Sequence, residues 1–577
     1  MKGFLLIQFL LIIILIERKS KLDIEYHTTR QAFNRMQNQK IRNALCVYPF
    51  DSFLTAFDED KYLECVEKTK LLNEQDATSF SNAKSFYINH YFPKTPQHFE
   101  SWYYFAKRRN CRINRYDGLH KQLLPFKKGT FSYSHLRNLV ALFNNTQLTT
   151  FTSKNGVTHI EVNSERAAAY IPVFSRLQKY LPDFQFVINT HAQPVVLFNK
   201  HYGDHKVETK LNQYQVGLGQ AELTIRSNNS NKTKIKRFSD IIANACQPDE
   251  YRSSLMQGYG LFMNTPEEYL TTKLLPMLSW GNYPGCTKDI LIPSVFHYGS
   301  VPRSVVKPSY YTEWKYKYPS LIWRGATSGS PFYLQEYRNY LPDHVCTSNC
   351  TRDQIKLLQP LNYNQQVWFW SHRQRAAAYA LEYPSLLNVY LVDAVEMHDT
   401  LRKQVFKFHK RAYRLSFKRF FDYKFILDID GNGYSSRFLT LLHSNSLIFA
   451  AHYAEDWFTD IAIPFYHYIP INIGFTQVDV DAIPLDFKKK LLNMKQFNSD
   501  FKYELKQQND TINTPLGYND LAPKVLFYQQ YDELSEKIAL QGQKLAQTRL
   551  RDEDMDCYLY RVVIELYDIL HHNDSLV

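Results

Sequence analysis

The chain has 577 residues, of which 44% are hydrophobic and 15% aromatic, and its formal net charge is +13. This composition is ample for large cores and excludes an intrinsically disordered chain, and the length suggests two to four domains. The basic residues are spread along the sequence and form no nucleic-acid motif. We therefore expect no nucleic-acid partner, while anionic ligands or acidic membrane surfaces stay open as reasons for the charge.

The N-terminal segment, residues 1–25, contains an apolar run from Gly3 to Ile16 that only Gln8 interrupts. As a helix this run would cover about 21 Å, which is short of the ~30 Å hydrocarbon core of a bilayer. It therefore suits a signal peptide or a short signal anchor, with a buried helix as the alternative. Either secretory interpretation places the rest of the chain in an oxidising lumen, and an uncleaved segment would attach it to the membrane.

Sequons and cysteines agree with a lumenal location. Six N-x-S/T sequons occur, at Asn144, Asn228, Asn231, Asn349, Asn509 and Asn573. The eight cysteines are Cys46, Cys65, Cys111, Cys246, Cys286, Cys346, Cys350 and Cys557. Because they form no CxxC pair and no Cys/His cluster at zinc spacing, structural disulfides are the better interpretation, although their connectivity cannot be read from the sequence.

The first half of the chain predicts a helical extension followed by buried strands. In the extension, residues 26–130, aromatic and small residues recur at helical spacing around FESWYYFAKRRNC. Strands are predicted at FQFVIN (184–189), AQPVVLF (192–198) and DILIP (289–293). The polar residues 199–240 predict an exposed insertion.

The second half alternates strands with helices, which argues for parallel sheets. The predicted strands lie in SLIWRGATSGSPF (320–332), LLNVYLVDA (386–394), YKFILDID (423–430), SNSLIFAA (444–451) and HYIPINI (467–473). In the first of these the predicted strand is followed by a glycine-containing loop and the start of a helix. Together with the three strands predicted in the first half, these strands are too many for one sheet, so we expect two α/β domains. The last 50 or so residues have a helical period and predict two helices.

The stretch LDIDGNGYSSRF (427–438) combines carboxylates, glycines and an arginine after a predicted strand. It opens like an EF-hand loop, but the twelfth position from Asp428 is Leu439, where calcium needs a bidentate glutamate. A D-x-D metal site at Asp428 and Asp430 is a second interpretation. We favour a diphosphate site, because a helix N-terminus at this edge of a parallel sheet binds anions and Arg437 can pair with phosphate. A purely structural glycine loop is the remaining alternative.

Six further blocks accompany this stretch in a set order. They are FESWYYFAKRRNC (99–111), LPDFQFVINTHAQP (181–194), CTKDILIP (286–293), LIWRGATSGS (321–330), HRQR (372–375) and RDEDMDCYLYRVVIELY (551–567). Together these blocks resemble glycosyltransferase family 90, which includes the Rumi-type protein O-glucosyltransferases and the fungal capsule-associated xylosyltransferases. The resemblance is closest to the fungal branch and covers most of the chain.

The resemblance implies a GT-B fold, in which two Rossmann-like domains face each other across a cleft. It implies an acceptor domain at 131–310, a UDP-sugar domain at 311–545 and a C-terminal helix at 546–577. The implied reaction is an inverting, metal-independent transfer of xylose or glucose from UDP-xylose or UDP-glucose to a hydroxyl of a glycan or glycoprotein. No cofactor is implied, and the implied location is the Golgi or endoplasmic reticulum lumen, as a single-pass type II membrane protein or a secreted one.

Matching the family motifs residue by residue implies a set of donor-site positions. Arg324, Gly325 and Thr327 match positions near the donor, and Gly433, Ser435, Ser436 and Arg437 match the diphosphate-facing loop. Asp456 and Trp457 would line the sugar pocket, with a helix N-terminus and a core aromatic as the alternatives. Arg373 and Arg375 would help to balance the charge of UDP, or would instead belong to a solvated helix face.

One block departs from the family pattern. Inverting transfer needs a general base that deprotonates the acceptor hydroxyl. The position where the family usually has an aspartate corresponds to Ala192, which cannot accept a proton. His191 and Asp204 are the candidate replacements, and His201 and His205 lie close to Asp204 in the sequence. The alternative function is therefore a catalytically inactive family member that binds UDP-sugar or glycan.

Overall fold

The computed structural model describes the chain in seven stretches and several isolated positions. The stretches are 79–128, 148–196, 274–298, 310–329, 371–395, 409–471 and 518–574, with gaps at 285–286 and 519. The isolated positions are 133, 134, 136, 402, 403, 405, 406, 493 and 494. The N-terminal segment 1–25 lies outside the described residues, and so does the insertion with Asp204, His201 and His205.

The described part of the chain is an α/β structure with two five-stranded sheets. The first sheet consists of β1 (Leu148–Lys154), β2 (Val157–Ile160), β3 (Phe184–Asn189), β4 (Met277–Ser279) and β5 (Ile290–Leu291). Its order is β2-β1-β3-β4-β5. Strand β1 runs antiparallel to β2 and β3, whereas β3, β4 and β5 are parallel to one another. The first sheet is therefore mixed.

The second sheet is parallel throughout. It consists of β6 (Tyr318–Ala326), β7 (Leu387–Asp393), β8 (Tyr423–Ile429), β9 (Leu447–Ala451) and β10 (Ile469–Pro470), in the order β10-β9-β8-β6-β7. Successive side chains of a strand point to opposite faces of this sheet and pack into two different hydrophobic cores. In β8, Phe425 and Leu427 belong to one core and Ile426 to the other. A sheet buried on both faces needs such continuous apolar strands, and this is why its sequence predicted it well.

Eleven α-helices lie in the described residues. They are α1 (Phe80–His90), α2 (Phe99–Arg108), α3 (Asp117–Leu123), α4 (Glu165–Ala168), α5 (Ile171–Leu177), α6 (His372–Ala380), α7 (Phe417–Phe420), α8 (Phe438–Leu442), α9 (Leu521–Gln530), α10 (Asp532–Arg549) and α11 (Asp552–Asp574). The end of the chain thus forms three helices, and the prediction of two was wrong. The helical period continues through Tyr531 and Leu550, where the backbone leaves the helical conformation. No helix in the described stretches is long and apolar enough to cross a membrane.

In the first sheet, one sequence prediction needs correction and one hairpin was missed. The segment 192–195 is a loop and not a strand, because the amides of Val195 and Val196 donate to the buried carboxylate of Asp289 at 3.0 and 2.9 Å. The hairpin of β1 and β2 was not predicted. Its signal was present, because Asn155 and Gly156 both have positive φ at the tip, as a two-residue Asn-Gly hairpin turn requires.

The C-terminal helix α11 packs against the N-terminal helical region. The Trp102 indole donates to the carbonyl of Cys557 at 2.9 Å, and a disulfide joins Cys111 to Cys557. Arg561 lies inside the same core, where it pairs with Glu565 at 2.9 Å. The two ends of the described chain are therefore fastened together. The other six cysteines lie outside the described residues.

The C-terminal edges of the two sheets face each other. The loops that follow β4 and β9 meet where Asn282 and Glu455 exchange two main-chain hydrogen bonds, of 3.2 and 2.9 Å. The loops that follow β5 and β8 meet where the Tyr434 hydroxyl donates to the Ser294 hydroxyl. In open α/β sheets ligands bind at this edge, so the loops between the sheets are the place to look for a site.

Candidate functional site

Two glycine-containing loops of the second sheet pack against each other. The amide of Gly329, in the loop after β6, donates to the Asn432 side chain at 2.5 Å, in the loop after β8. Gly329 has a φ of +94°, and a Cβ there would lie 2.5 Å from the carbonyl oxygen of Gly431. Only glycine fits such a position without strain. The contact brings the WRGATSG and DGNGYSSR blocks together, as the resemblance implied.

Arg373, at the start of α6, holds these two loops in place. Its Nε donates to the Asp430 carbonyl at 2.8 Å, and its Nη2 donates to the Ile429 carbonyl at 3.1 Å. Its Nη1 donates to the Ser328 hydroxyl at 2.6 Å and to the Ala326 carbonyl at 3.1 Å. The guanidinium therefore donates hydrogen bonds to the main-chain carbonyls at the ends of β6 and β8. In this way Arg373 positions the two loops, and these N–H groups are directed at protein oxygens and not at a ligand.

Arg375, two residues further along α6, is fully buried. It lies beside Tyr453 and Tyr518, and burial lowers the pKa of its guanidinium. The alternative of a solvated helix face was therefore wrong for both arginines. The sequence could not reveal this, because burial of Arg373 and Arg375 depends on carbonyl and hydroxyl groups of residues that are distant in the sequence.

Asp428 organises the turn after β8. Its carboxylate accepts from the Ser435 hydroxyl at 2.8 Å and from His452 Nε2 at 2.9 Å, and Arg437 Nη2 lies 3.4 Å away. Burial alone would raise the pKa of Asp428, but the His452 contact, Arg437 and the Ser435 hydrogen bond together lower it. The carboxylate is therefore ionised at neutral pH and helps to hold His452 and Arg437 in place.

Asp430 faces a different set of partners. Its Oδ2 accepts from the amides of Tyr453 and Ala454 at 2.5 and 2.9 Å, and burial raises the pKa of its carboxyl to about 6. The D-x-D carboxylates of Asp428 and Asp430 thus serve two separate hydrogen-bond networks. Within the described stretches, no group of three or more His, Cys, Asp or Glu side chains is arranged to hold a metal ion.

Arg437 and Ser436 are the residues of the predicted diphosphate set that reach the surface, and Arg437 carries the charge. The Nη1 of Arg437 donates to the Arg324 carbonyl at 3.0 Å, and about a quarter of its side chain is exposed, at 26%. It caps α8, which has only five residues. A helix this short contributes a small dipole, so the predicted anion site depends mainly on the Arg437 guanidinium. Ser436 is partly exposed beside it, whereas Ser435 is turned inward to Asp428.

The residues predicted near the donor mostly make contacts within the second sheet. Arg324 turns toward β7, where its Nη1 and Nη2 donate to the carbonyl and side-chain oxygens of Asn388, both at 2.7 Å. Gly325 leaves room for the Trp323 ring, which a Cβ would overlap. The buried hydroxyl of Thr327 donates to the Val395 carbonyl at 2.8 Å. Among these three residues, Arg324 also contacts the predicted diphosphate loop, because its carbonyl accepts the hydrogen bond from Arg437.

The loop after β3 lies directly opposite the DGNG loop. A Cβ added to Gly433 would overlap the carbonyl oxygen of Ala192, so the two main chains are in close contact. The Asn189 side chain shapes this loop, because its Nδ2 donates to the Gln193 carbonyl at 2.7 Å and its Oδ1 accepts from the His191 amide at 2.9 Å. The structure therefore brings together the block where a base was expected and the predicted diphosphate loop.

His191 is half-buried in the same loop. Burial and the nearby Arg166 lower the pKa of its imidazole to about 4. Arg166 is fixed there by a hydrogen bond of 3.1 Å from its Nη1 to the Thr190 carbonyl. The His191 ring is thus neutral at neutral pH, and it can accept a proton only as a weak base. The second candidate base, Asp204, lies outside the described residues.

Asp456 and Trp457 follow β9 and are buried. Asp456 Oδ1 accepts from the Trp457 amide at 2.7 Å, and its Oδ2 lies 3.5 Å from Nε2 of His297, which follows β5. Burial raises the pKa of Asp456 well above its ordinary value and lowers that of His297 to about 3. The Trp457 ring packs 5.2 Å from Tyr558 of α11. Trp457 therefore matches the core-aromatic alternative.

Several residues of this region were not predicted. His452 contacts Asp428, His372 Nε2 lies 2.8 Å from the Asp430 carbonyl, and Asn432 and Tyr434 link the loops described above. Asn432 and Tyr434 lie inside the quoted stretch 427–438, so their polar groups were a usable signal. His372 lies inside the quoted HRQR block, although its contact with the Asp430 carbonyl could not be read from the sequence. His452 gave no signal, because it is distant in sequence from the carboxylate that it contacts.

Two comparisons with known proteins were negative. No protein-family model matches the chain, and a search of curated proteins also finds no match.

Proposed function

We propose that the chain is an inverting, metal-independent glycosyltransferase with a GT-B fold. It would transfer xylose or glucose from UDP-xylose or UDP-glucose to a hydroxyl of a glycan or glycoprotein. The observation that carries the proposal is the close contact between the Ala192 and Gly433 loops at the facing edges of two α/β sheets. The reaction itself comes from the resemblance of the sequence blocks to glycosyltransferase family 90.

The charge of the site supports a diphosphate at the second sheet. Arg437 is partly exposed and is oriented by Asp428 and by the Arg324 carbonyl, so its remaining N–H groups are preorganised for an anion. An arginine fixed in this way stabilises the charge that develops on departing UDP, and such preorganised electrostatics contribute strongly to catalysis. The partly exposed Ser436 would add a hydroxyl donor beside it.

In the proposed reaction the acceptor hydroxyl oxygen attacks C1 of the sugar from the face opposite UDP. The bond from C1 to the diphosphate oxygen breaks, and UDP leaves with the electron pair while Arg437 balances its charge. The acceptor proton must go to a base near the Ala192 loop. His191 is neutral and adjacent, and its pKa of about 4 makes this step slow.

The Ala192 loop also favours a second candidate function, a catalytically inactive family member that binds UDP-sugar or glycan. The methyl group of Ala192 supplies no proton acceptor, and its carbonyl is packed against Gly433. Both candidates share UDP binding and differ in turnover.

Lumenal placement, in the Golgi or endoplasmic reticulum, belongs to the same proposal. The Cys111–Cys557 disulfide supports an oxidising compartment, since such bonds persist there. Digestion with endoglycosidase tests it, because a lumenal chain carries N-glycans that the enzyme removes. A chain from its native cell without N-glycans would contradict the placement.

Titration of the chain with UDP in a calorimeter tests the diphosphate assignment. We expect Arg437→Ala to weaken UDP binding about tenfold or more, because a charge-assisted hydrogen-bonding group is lost. Arg108→Ala, at an exposed position of α2, is the matched control and should leave the affinity unchanged. Equal UDP affinity of the Arg437→Ala variant and the intact chain would refute the assignment under both candidate functions.

A further inference from the structure

One segment in the second half of the chain concentrates positive charge and contains no acidic residue. Residues 400–421 contain eight Lys and Arg residues and no Asp or Glu. The eight are Arg402, Lys403, Lys407, Lys410, Arg411, Arg414, Lys418 and Arg419. This segment is an exception to the even spread of basic residues along the chain. Seven of the eight are described, all but Lys407, and all seven side chains are exposed.

The middle of the segment lies on the outer side of β7, the last strand in the order of the second sheet. Arg411 forms a parallel bridge with Leu391 of β7, and the amide of Ala412 donates to the Leu391 carbonyl at 2.9 Å. From 409 to 416 the backbone forms no helix. We call the exposed side chains of Lys410, Arg411, Tyr413 and Arg414 the basic edge, because they form a strip along this margin of the sheet, whereas Lys418 and Arg419 lie on α7, next to the start of β8.

The positive charge of the basic edge is only partly balanced within the described residues. Arg414 pairs with Asp393 at 3.2 Å. This pair is open to water, so it is weak and exchangeable. In the middle of the strip the Tyr413 side chain is 93% exposed. A nearly bare aromatic ring among unbalanced cations is a costly surface to leave uncovered and is typical of a binding surface.

The basic edge continues toward the candidate site. The ring of Tyr390, on β7, lies 5.0 Å from the Arg324 guanidinium and 5.6 Å from the Lys410 ammonium. Arg324 in turn contacts Arg437 through its carbonyl. A row of cations and rings therefore leads from the predicted diphosphate loop to the margin of the second sheet.

We propose that the basic edge binds an acidic polysaccharide, a linear chain that carries carboxylate or sulfate groups. A strip of Lys and Arg along an extended segment matches repeated anions on a linear polymer, and cation clusters of this kind occur at heparin-binding patches. The Tyr413 ring supplies a flat apolar face for a sugar ring between the charged contacts. This binding does not depend on the sugar transfer proposed above.

The lumenal features select this polymer among linear polyanions. The Cys111–Cys557 disulfide and the N-x-S/T sequons point to an oxidising compartment, where acidic glycans occur and nucleic acids do not. A membrane surface is planar, whereas the basic edge is a narrow strip. RNA and anionic lipid therefore enter as alternative outcomes of the test.

The test measures retention of the full chain on immobilised heparin in a salt gradient. One variant combines Lys410→Gln, Arg411→Gln and Arg414→Gln. Its matched control combines Lys84→Gln, Lys154→Gln and Lys179→Gln, three exposed positions elsewhere on the surface. Both variants lose three positive charges, so a difference between them reports position and not net charge. Thermal melting of both variants checks that they fold.

We expect the intact chain and the control variant to elute at similar salt concentrations. The basic-edge variant should elute at lower salt, with a Kd for heparin raised on the order of tenfold, as expected for the loss of three exposed ionic contacts. Equal elution of the two variants would overturn the proposal, and so would an intact chain that heparin does not retain. It would also be overturned if the basic-edge substitutions weakened binding to a poly-uridine RNA or to phosphatidylserine vesicles more than binding to heparin.

Discussion

The main-chain carbonyl of Ala192 lies against the Cα of Gly433, so loops from two different sheets touch at the centre of the candidate site. Glycine is the only residue that permits this approach, because any Cβ at position 433 would overlap the carbonyl. The contact has two consequences. It gives Gly433 a structural reason for its place in the DGNG loop, and it places residue 192 beside the loop that is proposed to hold the diphosphate.

The first prediction concerns that contact. We expect Gly433→Ala to destabilise the chain by about 1–3 kcal/mol, because the added methyl group must displace main-chain atoms. Thermal unfolding measures the loss. Gly118→Ala is a milder control, since its Cβ would lie 3.2 Å from the Asp460 side chain and can be accommodated by a small shift. Equal melting temperatures for the Gly433→Ala variant and the intact chain would show that the two loops are not packed as described.

The second prediction concerns the missing base. We expect Ala192→Asp to raise the rate of sugar transfer by about 10²-fold or more, because a positioned general base typically contributes that much. Ala192→Asn has nearly the same shape but cannot accept the proton, so it should leave the rate unchanged. Product formation from labelled UDP-sugar measures both. An equal rate increase in the two variants would mean that the side-chain volume at position 192, and not a base, sets the rate.

The third prediction concerns pH and His452. Burial alone would lower the pKa of His452, but Asp430 and Asp428 raise it above the ordinary value. Stabilisation by a group with a raised folded-state pKa is complete below the unfolded value of about 6.5 and is lost as the pH rises through the folded pKa. We therefore expect His452→Gln to cost more free energy of unfolding at about pH 6 than at about pH 9.

A control substitution, at His443, should show the opposite pH dependence of its free-energy cost. Burial lowers the pKa of His443 to about 4, so this imidazole stays neutral in the folded chain where the unfolded chain binds a proton. His443→Gln should therefore cost less free energy at about pH 6 than at about pH 9. Denaturant unfolding at both pH values measures each difference. A cost of His452→Gln that does not change with pH would contradict the ion pair with Asp428.

The fourth prediction concerns the disulfide between Cys111 and Cys557. It joins residues 446 positions apart in the sequence, so it closes a very long loop. We expect the Cys111→Ala and Cys557→Ala double variant to lose about 2–4 kcal/mol of stability. Reduction with dithiothreitol should lower the melting temperature of the intact chain more than that of the double variant. Equal effects of the reductant on both would show that this bond does not form in solution.

The sequence predicted the second sheet better than the first. Its strands β7, β8 and β9 are continuous apolar runs buried on both faces, and this pattern needs no knowledge of distant contacts. Strand β4 has three residues and is too short to give a periodic signal, whereas the two residues of β5 lie inside the predicted strand DILIP. Their place in the sheet follows from neighbours that are far away in the chain.

The candidate site was predicted in part for the same reason. The DGNG and WRGATSG loops were selected by local glycine, carboxylate and arginine content, and they do lie together. The roles of Arg373 and Arg375 were not predictable, because charged residues are usually solvated and here they satisfy buried groups from other elements. Trp457 was similarly ambiguous, since its packing against α11 depends on a helix about 100 residues away.

The most direct test of the proposed transfer is a UDP-release assay on the full chain in detergent, with UDP-xylose and UDP-glucose supplied separately in the presence of EDTA. Glycan or glycoprotein acceptors are included, and UDP binding is measured in parallel. The account predicts that UDP is released from one of the two donors and that Arg437→Ala abolishes the release. Tight UDP binding without release from either donor would contradict transfer from these two sugars and favour the inactive candidate, and a lack of UDP binding would contradict both.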